Sequence, residues 1–250
     1  MKKFVLLGRH LDEIIPILTD FSVIITDKNP DAVITYGGDG ALLGAERKYP
    51  GIPKYPIRDE RMNPKCKKHK DKYIIKKIAQ DNLKPTKMYK LIGKGPNNEI
   101  ISGLNDIILH NADPKSAVRY KLTIDDKHFP HQIVGDGVVI ATPFGSSAYY
   151  KSITHSTFNL GIGIAFNNST EPINHMVINK NSVVKITVTR GPAILLADND
   201  PKVINIQTGE HIYVHNSEKY ATVYGLDIFR CEECLKQRNQ FWKEKTDYFL

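Results

Sequence analysis

Cysteine is scarce in this chain, which has three in 250 residues: Cys66, Cys231 and Cys234. An odd and sparse set argues against a disulfide-stabilised scaffold. Cys66-Lys-Lys-His69 and Cys231-Glu-Glu-Cys234 can be combined into a zinc-like ligand set, but the two halves lie far apart in sequence and neither contains the usual turn glycines. The sequence therefore favours reduced thiols at the surface and predicts no metal-ligating residues.

Long hydrophobic runs are also missing. No stretch of about 18 apolar residues occurs, and the apolar start at residues 1–8 is too short for a signal peptide. We therefore expect a cytoplasmic protein that does not act at a membrane. With 41% apolar residues, the chain is long enough for one large domain or two small ones.

The formal net charge of +8 favours anionic partners, which include nucleic acid, acidic lipid and phosphorylated small molecules. The strands lack the interleaved basic and aromatic residues that bind nucleic acid, so we expect no nucleic-acid partner.

The spacing of apolar residues divides the chain in two. Strands at residues 4–7, 22–26 and 32–35 alternate with helical patterns, which predicts a parallel, doubly wound sheet, whereas residues 50–64 resemble a loop. From Met88 onward, short strands separated by turn residues predict an all-β region. The tail carries Leu235, Trp242 and Phe249 and predicts an amphipathic helix that lies back on the first domain, or less favourably a membrane-surface segment.

The most informative segment is Gly37-Gly38-Asp39-Gly40, which follows an apolar strand. Glycines there let backbone N–H groups approach phosphate oxygens, and a helix that begins near Ala41 directs its positive end to the same place. A carboxylate does not bind phosphate, so Asp39 would hold Mg²⁺ or accept a proton from an attacking hydroxyl. A strand-to-helix turn capped by Asp39 would explain the tetrapeptide equally well.

Two further polar clusters follow. Gly103-Leu-Asn105-Asp106 places an amide and a carboxylate before an apolar strand, and Asp136-Gly137 leads through a strand into Thr142-Pro-Phe-Gly-Ser-Ser-Ala-Tyr149. Small hydroxyl residues in such a turn suit a ribose, a phosphate or a base edge, because Ser and Thr both donate and accept hydrogen bonds. Ordinary turns would also explain each segment taken singly.

The order of these three motifs resembles the NAD kinase family, whose members carry GGDG, a later Asn-Glu pair, and an Asp-Gly strand that leads into a TPTGSTAY-like turn. The resemblance covers most of the chain. It implies a Rossmann-like α/β domain over residues 1–93 that carries GGDG, a β-rich, sandwich-like NAD-binding domain over 94–226, and a segment at 227–250 that returns to the first domain.

The resemblance also implies roles for individual residues. Asp39 matches the carboxylate near the 2′-hydroxyl of the adenosine ribose, Gly38 and Gly40 line the phosphate path, and Leu43 is a further substrate- or nucleotide-binding position. Asn105 and Asp106 match the pair that holds adenine or ribose. The remaining matches line the pocket for the other half of the dinucleotide or enter late in the second domain, and they are Asp136, Ser147, Ala148, Tyr149, Ser152 and Asp198.

The implied activity is phosphorylation of NAD, or of NADH, by ATP or polyphosphate. The implied cofactor is Mg²⁺ carried with the donor, without a tightly bound organic cofactor, and the implied assembly is a homodimer or homotetramer. The chain departs from the family where Asp106 replaces Glu and where residues 55–64 replace a glycine-rich segment. Arg58 and Arg61 could contact phosphate there, although solvated loop charges are the favoured interpretation. A catalytically silent dinucleotide-binding or regulatory protein, and less favourably a lipid kinase, are the alternatives.

Overall fold

A computed structural model describes residues 2–172 and 174–246 of the chain. It divides into two compact units. The first runs to Lys87 and resumes at Ala221, and the second comprises Met88–Tyr220. The tail residue Phe249 lies outside the described residues, whereas Leu235 and Trp242 lie on the final helix.

The first unit is built on a parallel sheet. In spatial order its strands are Ile24–Ile25, Lys3–Gly8, Ala32–Tyr36 and Lys54–Ile57, after which Val223 pairs with Lys54. Its helices are Ile15–Asp20, Asp39–Lys48, Asp71–Ala79, Leu226–Phe229 and Glu232–Thr246, with short 3₁₀ helices at Leu11–Glu13 and Lys67–His69.

Helices cover both faces of this sheet. Leu18 and Ile75 pack with Ile34 in one apolar cluster, whereas Ala45 packs with Val33 in another. Because apolar residues of the central strands are buried on both sides, the strands are continuous hydrophobic runs rather than alternating ones. This arrangement confirms the predicted doubly wound α/β fold.

The prediction that residues 50–64 form a loop is wrong in its middle part. Lys54–Ile57 is a fully buried strand that pairs in parallel with Ala32–Tyr36. The buried Lys54 ammonium is neutralised by an ion pair with Glu46 and donates to the Tyr49 carbonyl at 2.7 Å. A strand of this kind is hidden in the sequence because it contains a lysine and a proline, which are uncommon in the middle of a sheet.

The second unit is β-rich, as predicted. Its six-stranded antiparallel sheet has the spatial order His175–Ile178, Ile162–Asn167, Gly137–Ala141, Asp106–Asn111, Ala193–Ala197 and Ile204–Ile206. Antiparallel pairing also joins Ile133–Gly135, Val118–Ile124, Val184–Arg190 and the first half of His211–Tyr224, with Lys127–His128 beside Val118–Ile124 and Pro85–Lys94 beside Ile100–Gly103. One apolar core takes side chains from both sets of strands, including Ile107, Val138, Tyr120 and Ile186, which is the packing of a β-sandwich.

The sandwich also contains a helical connection. A 3₁₀ helix at Gly145–Ser147 is followed by the helix Tyr149–Thr154, and Tyr150 from that helix packs against Val139 and Ala165. The two strands after it, Ile162–Asn167 and His175–Ile178, were not predicted from the sequence. Among the described residues, no helix is both long enough and apolar enough to cross a membrane.

Candidate functional site

Asp39 is the first residue of a ten-residue helix that begins directly after the central strand of the first unit. The turn between them depends on Gly37, whose φ of +147° is favourable for glycine and strained for other residues. Gly38 is the N-cap, Gly40 lies in the first helical turn, and Leu43 is buried on the same helix. The carboxylate therefore sits at the positive end of the helix, at the carboxyl end of a parallel strand, as predicted.

Two guanidinium groups hold the Asp39 carboxylate. Arg58 Nη2 donates to Oδ1 at 2.9 Å, and Arg230 Nη2 donates to Oδ2 at 3.2 Å. The Asp39 side chain remains 39% exposed, so one side of the carboxylate is open to solvent. Charge-assisted bonds of this kind fix the position of an acid.

Arg58 is itself held in place. It is 7% exposed, its Nε donates to the Phe229 carbonyl at 2.7 Å, and its guanidinium carbon lies 3.9 Å from the centre of the Phe229 ring. The interpretation of Arg58 as a solvated loop charge is therefore wrong. Arg61 fits that interpretation better, because its side chain is 42% exposed and pairs with Asp59 and Glu13.

The second unit brings the other two motifs together. Asp198 organises the turn before the strand Asp106–Asn111, because its carboxylate accepts hydrogen bonds from the N–H groups of Leu104, Asn105 and Asp106 at 2.8, 2.7 and 3.1 Å. A carboxylate that accepts three backbone bonds at once fixes the conformation of the turn.

Thr142 anchors the third motif to the same turn. Its hydroxyl donates to the Leu104 carbonyl at 2.5 Å, and its N–H donates to the Asn105 carbonyl at 2.8 Å. Gly145 packs so closely that a Cβ atom there would lie 2.0 Å from the Asn105 carbonyl oxygen. The glycine of the motif is thus required by packing at one backbone contact.

Asn105 and Asp106 are buried polar groups with unusual surroundings. Asn105 is 8% exposed, and no donor among the described residues reaches its Oδ1 atom. Burial, together with the nearby charge of Asp198, raises the pKa of the Asp106 carboxyl to about 7. Buried acceptors without donors are costly, so a ligand hydroxyl or amino group at this turn would relieve the cost.

The remaining predicted residues lie around the helix Tyr149–Thr154. Ala148 precedes that helix, the Ser152 hydroxyl donates to the Tyr149 carbonyl at 2.7 Å, and the Ser147 hydroxyl makes a longer bond of 3.4 Å to the Phe144 carbonyl. Desolvation raises the pKa of the Tyr149 phenol.

Two asparagines that sequence reasoning missed contact this group. Asn167 Nδ2 donates to the Tyr149 hydroxyl at 2.9 Å, and Asn168 Nδ2 donates to Asp136 at 2.6 Å. Asn167 is the last residue of the strand Ile162–Asn167, and Asn168 comes directly after it. Both were missed because the sequence did not predict this strand. Arg230 was missed as well, because it lies 191 residues from Asp39 and belongs to no motif.

The cysteines also differ from the prediction. Cys66 and Cys234 are each 1% exposed, so they are not surface thiols, and they lie together with His69 and Cys231. Folding brings the two halves together because the final helix packs in the same unit as residues 66–69.

The chain was compared with known proteins. Residues 104–226 match the family model of the ATP-NAD kinase C-terminal domain. An NAD kinase of Pseudomonas savastanoi pv. phaseolicola is 28% identical over 182 residues, which cover 66% of this chain and 59% of the relative. NAD kinase 2 of Listeria monocytogenes is 30% identical over 156 residues, which cover 58% of this chain and 56% of the relative. The aligned part thus spans less than two thirds of either relative.

Solved structures show the same fold. Yeast NADH kinase complexed with NADH superposes with a TM-score of 0.76 at 16% identity, over 90% of this chain and 83% of that one. An NAD kinase from Archaeoglobus fulgidus in complex with ATP gives a TM-score of 0.74 at 18% identity, over 92% and 96%.

Proposed function

We infer that the chain belongs to the NAD kinase family, as its three motifs predicted, and we propose that it transfers a phosphoryl group to the 2′-hydroxyl of the adenosine ribose of NAD, giving NADP. NADH is a second acceptor in this proposal, and ATP or polyphosphate is the donor. The observation that carries it is the Asn105–Asp106 turn, where the buried Asn105 Oδ1 atom has no donor among the described residues, within the segment that matches the family model.

Asp39 is proposed to act on the reacting hydroxyl. The hydroxyl oxygen forms a bond to the terminal phosphorus, the bond from that phosphorus to the leaving oxygen breaks, and Asp39 takes the hydroxyl proton. A positioned base contributes about 10²- to 10⁴-fold to such a rate. Arg58 and Arg230 hold the carboxylate, and their positive charge favours the approach of phosphates next to Gly38 and Gly40.

Residues of the second unit are proposed to bind the dinucleotide. Asn105 and Asp106 accept hydrogen bonds from the adenine amino group or from ribose hydroxyls, and Asp198 supports them by fixing the turn rather than by touching the substrate. Asp136 accepts a hydrogen bond from Asn168, and Tyr149 accepts one from Asn167. These two residues are proposed to line the pocket for the other half of the dinucleotide. The same pocket includes Ser147, Ala148 and Ser152. Leu43 supports the helix that begins at Asp39.

Mg²⁺ fits this site as a companion of the donor. Among the described residues, the group of three or more side chains that could converge on a metal is the cysteine and histidine set, and Asp39 is already paired with two arginines. Mg²⁺ in such sites is held largely by substrate phosphates and water. When bound, it would neutralise charge on the donor phosphates, while Arg58 and Arg230 hold the Asp39 carboxylate in place.

The second candidate is a silent module that binds the dinucleotide without turnover. It is favoured by the double ion pair of Asp39 and by the shorter side chain of Asp106. A lipid kinase is a weaker alternative, because the third motif is of the nucleotide type. We also propose a cytoplasmic location, which agrees with three cysteines that are not joined in a disulfide, and a homodimer or homotetramer, which light scattering would test.

A coupled assay tests the proposal. Purified protein is incubated with NAD or NADH, Mg²⁺ and either ATP or polyphosphate, and an NADP-specific dehydrogenase reports the product. The proposal predicts a signal that requires both donor and acceptor. Tight binding of NAD by calorimetry without product from either donor would instead establish the silent module.

A further inference from the structure

Three cysteines and one histidine of the first unit lie in a single cluster. One ligand atom from each of Cys66, His69, Cys231 and Cys234 lies within 4.8 Å of every other. All the cysteines of the chain are in this cluster, although the two halves are separated by more than 160 residues. We refer to these four residues as the thiol cluster.

The measured separations fit the edges of a metal tetrahedron. The Cys66 and Cys234 sulfurs are 3.5 Å apart, and His69 Nδ1 lies 3.3 Å from each of them. With Zn–S bonds of about 2.3 Å and Zn–N bonds of about 2.0 Å, a regular tetrahedron has edges of roughly 3.8 and 3.5 Å. A disulfide would need its sulfurs about 2.05 Å apart. The cluster is therefore spaced for an ion rather than for a cross-link.

The backbone around the thiol cluster supplies both ligand pairs from compact turns. Cys66 precedes the 3₁₀ helix Lys67–His69, and the His69 N–H donates to the Cys66 carbonyl at 3.0 Å. Cys231 immediately precedes the helix Glu232–Thr246. A two-residue spacing in each half brings both ligands of a pair to one side, so the turn glycines that the sequence lacks are not needed.

Hydrogen bonds to sulfur accompany this geometry. The Cys66 N–H donates to the Cys234 sulfur at 3.4 Å. Such outer contacts orient metal-bound ligands and stabilise their negative charge.

A buried arginine gives an independent indication of negative charge. Arg238 is 8% exposed, and its Nη1 atom has no hydrogen-bond partner among the described residues. Its electrostatic neighbours are Arg58 and Asp39, whose charges are opposite, together with Cys234 and Cys231. Three thiolates around one divalent ion leave a net charge of −1, which would compensate the buried guanidinium, whereas three neutral thiols would not.

We propose that Cys66, His69, Cys231 and Cys234 bind one Zn²⁺ ion in a structural site. Four protein ligands fill the tetrahedral shell, so no position is left for water or substrate, which distinguishes this site from a catalytic one. Zn²⁺ is preferred because three thiolates and an imidazole are its usual ligands in closed sites.

The ion would also position Arg230, which lies in the first unit and contacts Asp39. Arg230, whose guanidinium contacts Asp39, immediately precedes Cys231, and the Phe229 carbonyl accepts from Arg58. A metal that fastens residues 231–234 to residues 66–69 therefore holds Arg230 and Phe229 against the Asp39 pair. In this proposal Arg230 is a positioning residue, and the ion acts through it.

Metal analysis of the full-length protein, purified without added zinc or chelator, tests the site. The expected result is about one zinc per chain, with the thiols unreactive towards a thiol reagent until a chelator is added. After zinc is exchanged for Co²⁺, the spectrum should show thiolate-to-cobalt charge transfer and the strong visible bands of a tetrahedral centre. Iron in place of zinc, no metal even after reconstitution, or a disulfide detected by mass would overturn the proposal.

Variants locate the ligands. Cys234→Ser and His69→Asn should each lower zinc affinity by more than about 100-fold, which is the upper effect of losing a residue that merely orients a ligand. His131→Asn, at an exposed histidine of the other unit, is the matched control and should retain full occupancy. Full zinc occupancy with unchanged affinity in both cluster variants would contradict the assignment.

Hydrogen exchange covers the case in which a variant fails to fold. Removing zinc from the unmodified protein should accelerate exchange in peptides covering residues 65–71 and 229–240, while the strand Val118–Ile124 stays protected. Equal exchange with and without zinc would refute a structural role for the ion. Because these readouts require no turnover, they are independent of the proposed kinase activity.

Discussion

Replacing Asp106 with asparagine is predicted to stabilise the protein more at pH 8 than at pH 5. The Asp106 side chain is buried beside Asp198, which raises the pKa of its carboxyl from 3.8 to about 7. The folded state therefore binds a proton more tightly than the unfolded state does between these values. Stability should fall as the pH rises from about 4 to about 7, and the whole penalty should be present above pH 7.

The size of the effect follows from the shift. A displacement of about three pKa units corresponds to about 4 kcal/mol in total. Between pH 8 and pH 5, linkage gives a gain of about 2.5 kcal/mol for the wild-type protein, because its carboxyl takes up a proton only in the folded state. Asp106→Asn lacks this titration and should not show that gain.

Urea unfolding of the wild-type protein and of Asp106→Asn at pH 5 and pH 8 measures this effect on the unfolding free energy. The difference in unfolding free energy, Asp106→Asn minus wild type, should be larger at pH 8 by about 2–3 kcal/mol. Asp200→Asn, at another carboxylate of the same unit, serves as the control variant. An Asp106→Asn difference that is the same at both pH values would refute the reasoning.

Three further predictions concern the packing and the proposed chemistry. Asp39→Asn should keep the fold and lower kcat about 10²- to 10⁴-fold, whereas the exposed Asp12→Asn should leave kcat unchanged; parental turnover by Asp39→Asn would remove it from its role. Lys54→Met should lower the unfolding free energy by about 3–5 kcal/mol because it removes the ammonium that neutralises the buried Glu46 carboxylate, and a double variant with Glu46→Leu should recover most of this; chemical denaturation measures both, and no recovery would contradict the account. Gly145→Ala should cost at least about 1–3 kcal/mol in thermal or chemical unfolding, since its Cβ would meet the Asn105 carbonyl; a fully stable variant would show that the contact is looser than described.

The sequence predicted those elements of the fold whose local pattern of apolar residues matches their burial in the folded protein. The central strand Ala32–Tyr36 is a continuous apolar run, and it forms where a strand was predicted over residues 32–35. The strand Lys54–Ile57 was missed because tertiary ion pairing overrides the local signal of a lysine and a proline.

In the candidate site, too, residues marked by a local sequence pattern were predicted and residues brought in by tertiary packing were not. Asp39 and Asn105 were predicted because glycine turns mark them in the sequence. Arg230 was not, because its contact with Asp39 exists only after the C-terminal segment has packed on the first unit. The thiol cluster was judged unfavourable for a similar reason, since no local feature indicates that two distant pairs of ligands meet.

The central claim is that this chain makes NADP. The most direct measurement is the amount of product that an NADP-specific dehydrogenase accepts after incubation of NAD with Mg²⁺ and ATP or polyphosphate, with Asp39→Asn as the parallel sample. The account predicts NADP from the wild-type protein and a loss of about 10²- to 10⁴-fold in the variant. NAD binding without product from any donor, or equal product from both proteins, would contradict it.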